Sequence, residues 1–233
     1  MADNDGKIMD LHNAAIVVAH PDDEVLWFSA LTPKVAKIVM CYGSNPRVIE
    51  RGKQRTRVIE DYPLDTVQFL DLPEPDLWQG RELGSVEQEL ARFGREDMGL
   101  RSVLAAQLSR ALQGMSTVFV HNPWGEYGHD DHRRVYAVVS MLQENMGFVV
   151  YISNYVSRRA LALMSAMLSV KVTDVVEFGV EDDVVSSIVE LYKTNSCWTW
   201  TEDWRWPKQD YFFALSCGTG YRPITIPIVL FDI

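Results

Sequence analysis

The chain is expected to fold as an α/β protein: a Rossmann-like open sheet, mostly parallel, with helices on both faces and an irregular C-terminal extension. Three observations predict this. Apolar runs rich in β-branched residues recur at 14–19, 35–41, 66–70, 117–120 and 147–152, and strands buried on both faces read this way. Helical patterns lie between those runs, and strand–helix alternation is the signature of βαβ units. The two most unusual segments, 20–24 and 126–132, each follow one of the apolar runs, and open α/β sheets bind ligands at the carboxyl ends of their strands.

The elements follow in order. Ala14–Ala19 is the first strand, and a helix over Glu24–Leu31 is stopped by Pro33. Val35–Cys41 is a second strand, ended by Gly43. Arg51–Asp61 reads as a charged, exposed helix that ends before Pro63, because the residue before a proline is driven out of the helical region. Thr66–Leu70 is the third strand. A helix over Leu100–Leu112 puts Leu100, Val103, Leu104, Leu108 and Leu112 on one stripe, with Gly114 at its C-cap. Thr117–Val120, an amphipathic helix over Asp131–Leu142, and Gly147–Ile152 complete the regular part. Beyond about residue 155 the pattern loosens, with a strand at Val170–Val180, a helix at Asp182–Tyr192 and a last strand at Thr225–Phe231. Asn195–Pro207 carries Trp198, Trp200, Trp204 and Trp206, expected as core or as a packed C-terminal lid. The reading is one domain over 1–233, with a core at about 12–155 and a substrate-shaping part at about 156–233.

The composition bounds the function. A chain of 233 residues with 47% hydrophobic and 23% charged residues is an ordinary globular sequence, which excludes disorder and a disulfide-dense miniprotein. The 22 Lys+Arg against 32 Asp+Glu give a net charge of −10. Such a surface repels phosphate backbones and anionic lipids, so neither nucleic acid nor a membrane is expected as a partner. Cys41, Cys197 and Cys217 form no CxxC pair and fit a reducing compartment. Met1–Met9 is polar and acidic rather than leader-like. No run reaches the ~18 apolar residues of a membrane span, and the expected address is the cytoplasm.

The chemistry sits in two short clusters. His20-Pro21-Asp22-Asp23-Glu24 crowds carboxylates directly behind a buried strand. They repel one another and cost desolvation, and a divalent cation would offset both. Helix capping accounts for either aspartate alone but not for the histidine. In Tyr127-Gly128-His129-Asp130-Asp131-His132, His129 and His132 stand three apart at a helix start, where side chains at i and i+3 share a face. His12, His20, His121, His129 and His132 are the chain's five histidines, and three of them fall in these clusters. Nitrogen and carboxylate donors with a free position are what catalytic zinc takes. A leftover carboxylate serves as general base toward the water. His12 reads as surface, His121 as a strand-end residue or a neighbour of the site, Glu24 as a first-turn helix residue and Glu126 as a solvated loop carboxylate.

Over roughly residues 14–140 these two motifs, in this order and spacing, resemble the zinc-dependent N-acetylglucosaminyl deacetylases of the PIG-L or LmbE-like family. Asp130 stands where that family usually has proline, and both histidines and the following aspartate are kept. The resemblance implies His20, Asp23 and His132 as metal ligands and Asp22 as the base that takes a proton from the metal-bound water. It implies His129 as the cationic partner that stabilises the oxyanion or protonates the leaving amine, with Asp131 bonded to its ring and raising its pKa. Tyr127 would contact the substrate or oxyanion. Arg57, in Arg57-Val58-Ile59-Glu60, and Asp76 would bind the sugar.

The cofactor implied is zinc, with iron, cobalt or nickel also suited to such donors. The partner is an N-acetylated sugar or glycoconjugate, and assembly into a homo-oligomer is compatible with the sequence. The activity expected is hydrolysis of an N-acyl group, an acetyl, from an amino sugar. The alternative is a metal-dependent hydratase or lyase on the same scaffold, acting on a small unsaturated carboxylic acid, since fold does not fix function. A nucleotide-binding module would place a glycine-rich loop after the first strand, where this chain has an acidic cluster that repels phosphate.

Overall fold

Ala14–Val18 is buried at all five positions and forms β1, the centre of the parallel part of the sheet. The structure, a computed structural model, describes residues 9–45, 47–75, 82–93, 98–168, 171–216 and 227–232. After β1 come α1 (Asp23–Trp27), β2 (Lys37–Ser44), α2 (Ile49–Glu60), β3 (Val67–Pro73), α3 (Val86–Phe93), α4 (Met98–Ala111) and β4 (Thr117–Val120). The short turn α5 (Gly125–Gly128), α6 (Asp130–Met146), β5 (Val149–Ser153), β6 (Tyr155–Ser157) and α7 (Leu161–Met167) follow. The chain continues through β7 (Lys171–Gly179), α8 (Asp182–Thr194), β8 (Gln209–Ser216) and β9 (Val229–Phe231).

The main sheet has seven strands in the order β3-β2-β1-β4-β5-β8-β7, and β6 pairs with β9 in a small second sheet. The first five strands are parallel, whereas β8 runs antiparallel to both β5 and β7. The expected α/β class therefore holds. The C-terminal third is more regular than its sequence pattern, because two of its strands extend the main sheet. Val18 pairs with Met40 of β2, and Val17 with Val120 of β4. β1 and β4 thus end together, with the chain leaving them at His20 and His121, and β2 runs on past them to Ser44.

Alternation along β1 splits the core. Ala15, Val17 and Ala19 share one hydrophobic cluster with Leu104, Leu108 and Leu112 at α4 and with Val135, Val138 and Val139 of α6. Ala14, Ile16 and Val18 face the other way, into a cluster with Leu26, Trp27, Phe28, Leu31 and Phe212. Each fully buried aliphatic or Phe side chain of this kind contributes roughly 1.5–3 kcal/mol of transfer free energy.

The helix α1 is shorter than its sequence pattern. Phe28 leaves the helical region at φ −136°, and residues 29–34 continue as turns. Asp210 of β8 pins those turns, accepting from the Ser29 hydroxyl at 2.8 Å, the Ala30 N–H at 3.0 Å and the Tyr155 hydroxyl at 2.6 Å. Helix α6 ends at Gly147, whose φ of 76° is the left-handed cap glycine supplies without strain. Cys41 and Cys197 are buried free thiols, and Cys217 lies outside the described residues. Among the described residues no helix is long and apolar enough to cross a membrane.

Candidate active site

Strand order reverses between β1 and β4, and the loops leaving such a switch point make the ligand crevice of an open α/β sheet. The motif after β1 is tied down by its own backbone. Asp23 Oδ2 accepts the His20 N–H at 2.8 Å, and Asp23 Oδ1 accepts the Trp27 indole N–H at 3.0 Å. Asp22 sits at φ 96°, a left-handed conformation that costs a non-glycine residue about 1–3 kcal/mol and marks functional loops. Glu24 is buried in the first turn of α1, where it accepts from the Tyr62 and Tyr192 hydroxyls, each at 2.9 Å.

The motif before α6 meets the first one. The His20 and His132 rings lie 5.8 Å apart between centroids, and His129 stacks on His132 at 4.4 Å. His20 Nδ1 is 3.4 Å from Asp23 Oδ2, and His132 Nε2 is 3.3 Å from Asp23 Oδ1. Donor atoms of His20, His129 and His132 fall within 4.8 Å of one another, as do those of Asp23, His121 and His132. His132 Nε2 is buried and makes no hydrogen bond among the described residues, while its Nδ1 lies 2.7 Å from Glu126 Oε2. An orphaned imidazole nitrogen beside an aspartate, with its other nitrogen held by a carboxylate, is the arrangement that ligates a divalent ion. The residues fit such a cation, and His20, Asp23 and His132 supply the nitrogen–oxygen set that suits zinc. His121 is not free to join them: its Nε2 accepts the Ala19 N–H at 3.0 Å, and its Nδ1 faces Glu126 at 3.2 Å.

A pocket of about 250 Å³ opens on this cluster. His20, Asp22, Asp23, Tyr127, His129 and Asp131 line it, and His132 is fully buried behind them. Arg51, Arg55, Asn45, Glu74, Thr199 and Trp200 also line it. Asp22 Oδ2 accepts the Thr199 hydroxyl at 2.6 Å and its N–H at 3.3 Å. Burial, and after it the charge of Asp23, pushes the Asp22 carboxyl up to about 7. Glu126 behaves oppositely: burial would raise it, but the His121 and His132 partners outweigh burial and hold it at about 2.

Three expectations change. Arg57 is exposed, points away from the pocket and pairs with Glu50 at 3.4 Å. The helix turns by about 100° per residue, so Arg51 and Arg55 face the pocket and Arg57 does not. The Asp131 carboxylate turns to His20 Nε2 at 3.3 Å and to Arg134 at 3.1 Å rather than to His129. It is the Asp131 backbone N–H that reaches His129 Nδ1, at 3.2 Å, making His129 the N-cap of α6. The His129 pKa is therefore not raised: burial, followed by the His132 and His20 charges, holds it well below its ordinary value. Glu126 is not a solvated loop carboxylate but is completely buried. Asp76 lies outside the described residues.

The residues missed in the sequence differ in how legible they were. Arg51, Arg55 and Val58 stand at i, i+4 and i+7, and the buried Val58 marks that face of α2. Thr199 and Glu74 come from distant segments, with no local signal.

Fold and site first define a class: a doubly wound α/β protein with a histidine–carboxylate donor cluster at its switch point. Comparison with solved structures then makes this particular. The A40926 pseudoaglycone deacetylase Dbv21 matches with TM-score 0.57 at 8% identity, over 91% of this chain and 100% of that one. A deacetylase–bog complex from teicoplanin biosynthesis matches with TM-score 0.56 at 11% identity, over 88% and 100%. The zinc-inhibited form of the teicoplanin deacetylase Orf2 matches with TM-score 0.55 at 12% identity, over 88% and 100%. All three are deacetylases, and the chain shares their fold. No family model and no curated protein matches the sequence.

Proposed function

We propose that the chain is a metal-dependent hydrolase that removes an N-acetyl group from an amino sugar or glycoconjugate, with zinc as the metal. The observation that carries this is the convergence of His20 and His132 on Asp23, whose carboxylate lies 3.4 Å from His20 Nδ1 and 3.3 Å from His132 Nε2, with Asp22 beside it in the pocket. The deacetylases that share the fold support it. The hydratase alternative finds no support among them.

His20, Asp23 and His132 would hold a divalent ion, and the chemistry it would supply is Lewis acidity toward an amide carbonyl and a water. The rest is done by the chain. Thr199 occupies one oxygen of Asp22, and the other, Oδ1, takes no hydrogen bond among the described residues. Asp22 accepts the water's proton there. The proton that Asp22 accepts is the one the departing nitrogen needs, so the same carboxyl delivers it. His129, with Nδ1 held by the Asp131 N–H, carries its proton on Nε2 as a neutral ring and offers that N–H as a hydrogen-bond donor to the developing oxyanion without giving the proton up. This replaces the cationic role expected for it. Tyr127 and Trp200, 5.4 Å apart between centroids, give an apolar wall for the C–H face of a sugar. Arg51 and Asn45, which line the same pocket, give polar contacts.

Acetate release is measured over N-acetylated sugars, nucleotide sugars and glycosylated metabolites, with and without chelator. The expected result is release that chelator abolishes and zinc restores. Asp22→Ala should lower turnover ~10²–10⁴-fold with metal content nearly intact. Full activity of Asp22→Ala, or release insensitive to chelator, contradicts the proposal.

A further inference from the structure

Glu126 is a buried charged group to which the proposed mechanism gives no role. It sits between two glycines in the turn α5, at φ 51° and ψ −60°, a region glycine enters freely and other residues enter only under strain. It is completely buried. Both carboxylate oxygens are used: Oε1 accepts the Ser153 hydroxyl at 2.5 Å and the Asn122 N–H at 3.2 Å, while Oε2 lies 2.7 Å from His132 Nδ1 and 3.2 Å from His121 Nδ1. The His121 and His132 rings stack above that shared oxygen, 3.9 Å apart and 19° from parallel.

The tautomers follow from these bonds. His121 Nε2 accepts the Ala19 N–H, so the neutral ring carries its proton on Nδ1 and donates it to Glu126. His132 donates from Nδ1 to the same oxygen. The lone pair of His132 therefore stands on Nε2, the nitrogen beside Asp23 that has no hydrogen bond of its own. A strained backbone and a buried charge held by four partners are costly, and helix formation requires neither.

We propose that Glu126 is a positioning residue: it fixes the tautomer and ring orientation of His132 so that Nε2 is offered to the divalent ion, with His121 as the second donor that keeps the carboxylate in place. The inference rests on the proposed function in taking His20, Asp23 and His132 as the ligands. It adds that the acceptor behind His132 is a carboxylate from the turn preceding the motif, and that His121 belongs to this support and not to a second metal site.

The test titrates Co²⁺ into the metal-stripped full-length chain, following its absorption bands, and ranks Zn²⁺ by competition. The variants are Glu126→Gln, Glu126→Gly and Ser153→Ala. Glycine suits the backbone conformation, so Glu126→Gly keeps the fold while removing the carboxylate. Both Glu126 variants are expected to bind Co²⁺ and Zn²⁺ about 10–100-fold more weakly and to alter the Co²⁺ bands, with Ser153→Ala within about threefold of the parent. In the metal-free parent, ring ¹⁵N shifts should show His132 protonated on Nδ1. Parent-like metal affinity in both Glu126 variants, or His132 protonated on Nε2, overturns the assignment while leaving the metal site standing. A parent chain that binds neither ion overturns the assignment and the proposed function together.

Discussion

Replacing Thr199 by valine removes the 2.6 Å hydroxyl bond to Asp22 Oδ2 and leaves the 3.3 Å backbone N–H in place. The volume barely changes, so the perturbation is electrostatic. A hydrogen bond to a charged acceptor contributes roughly 1.5–3 kcal/mol, equivalent to about 10–150-fold in a rate that depends on it. Thr199 is itself exposed and water can partly replace its hydroxyl, so the lower end, about tenfold, is expected. Because Asp22 acts on the water rather than the sugar, kcat should carry the loss and KM should move little. Initial rates of acetate release at saturating and limiting substrate separate the two. Thr199→Ser restores the donor and should restore kcat. In an Asp22→Asn background Thr199→Val should add nothing further, since the two act as one unit. Full kcat in Thr199→Val, or a Thr199→Ser variant as slow as the valine, refutes the reasoning.

Arg57→Ala should leave kcat/KM unchanged and stability within about 0.5 kcal/mol, as for an exposed pair, whereas Arg51→Ala, at the pocket wall, should raise KM about tenfold. Arg55 is 3% exposed and bound to Glu74 and to the Gly43 carbonyl. Its replacement by methionine leaves the part-buried Glu74 carboxylate to its Asn45 hydrogen bond and should cost about 1–3 kcal/mol in urea unfolding; a loss below about 0.5 kcal/mol would mean that Glu74 rehydrates freely. Burial pushes the Glu24 carboxyl up to about 8, against the lowering bonds from Tyr62 and Tyr192. A raised carboxyl binds its proton more tightly in the folded chain, so its stabilisation is complete below pH 4.5, the ordinary value, and lost as pH rises to about 8. Glu24→Gln should flatten the stability–pH curve across that window by up to about 5 kcal/mol, and a curve parallel to the parent's would contradict the assignment.

What the sequence revealed depended on how local each interaction is. β1 was readable because every residue from Ala14 to Val18 is apolar, and the first motif because its constraints, such as the His20 N–H on Asp23 and the Trp27 indole on Asp23, span four residues or fewer. The strand β8 was not, because its partners β5 and β7 lie far off in the chain and antiparallel addition leaves no βαβ rhythm. Arg57 came from a motif match that carries no information on the face of α2, and the folded helix turns Arg55 to the pocket and leaves Arg57 exposed. Glu126 read as a loop carboxylate because His121, His132 and Ser153, which bury it, meet only once β4, α6 and β5 are assembled. Asp131 was assigned to its sequence neighbour His129, whereas the fold turns its carboxylate to His20, 111 residues away.

The most direct measurement is an anomalous-scattering map at the zinc edge from crystals of the zinc-loaded chain. A single peak bonded to His20, Asp23 and His132, with the Asp22 carboxylate adjacent to it, is the predicted result. A peak on other side chains, or no peak at full zinc loading, would contradict the account.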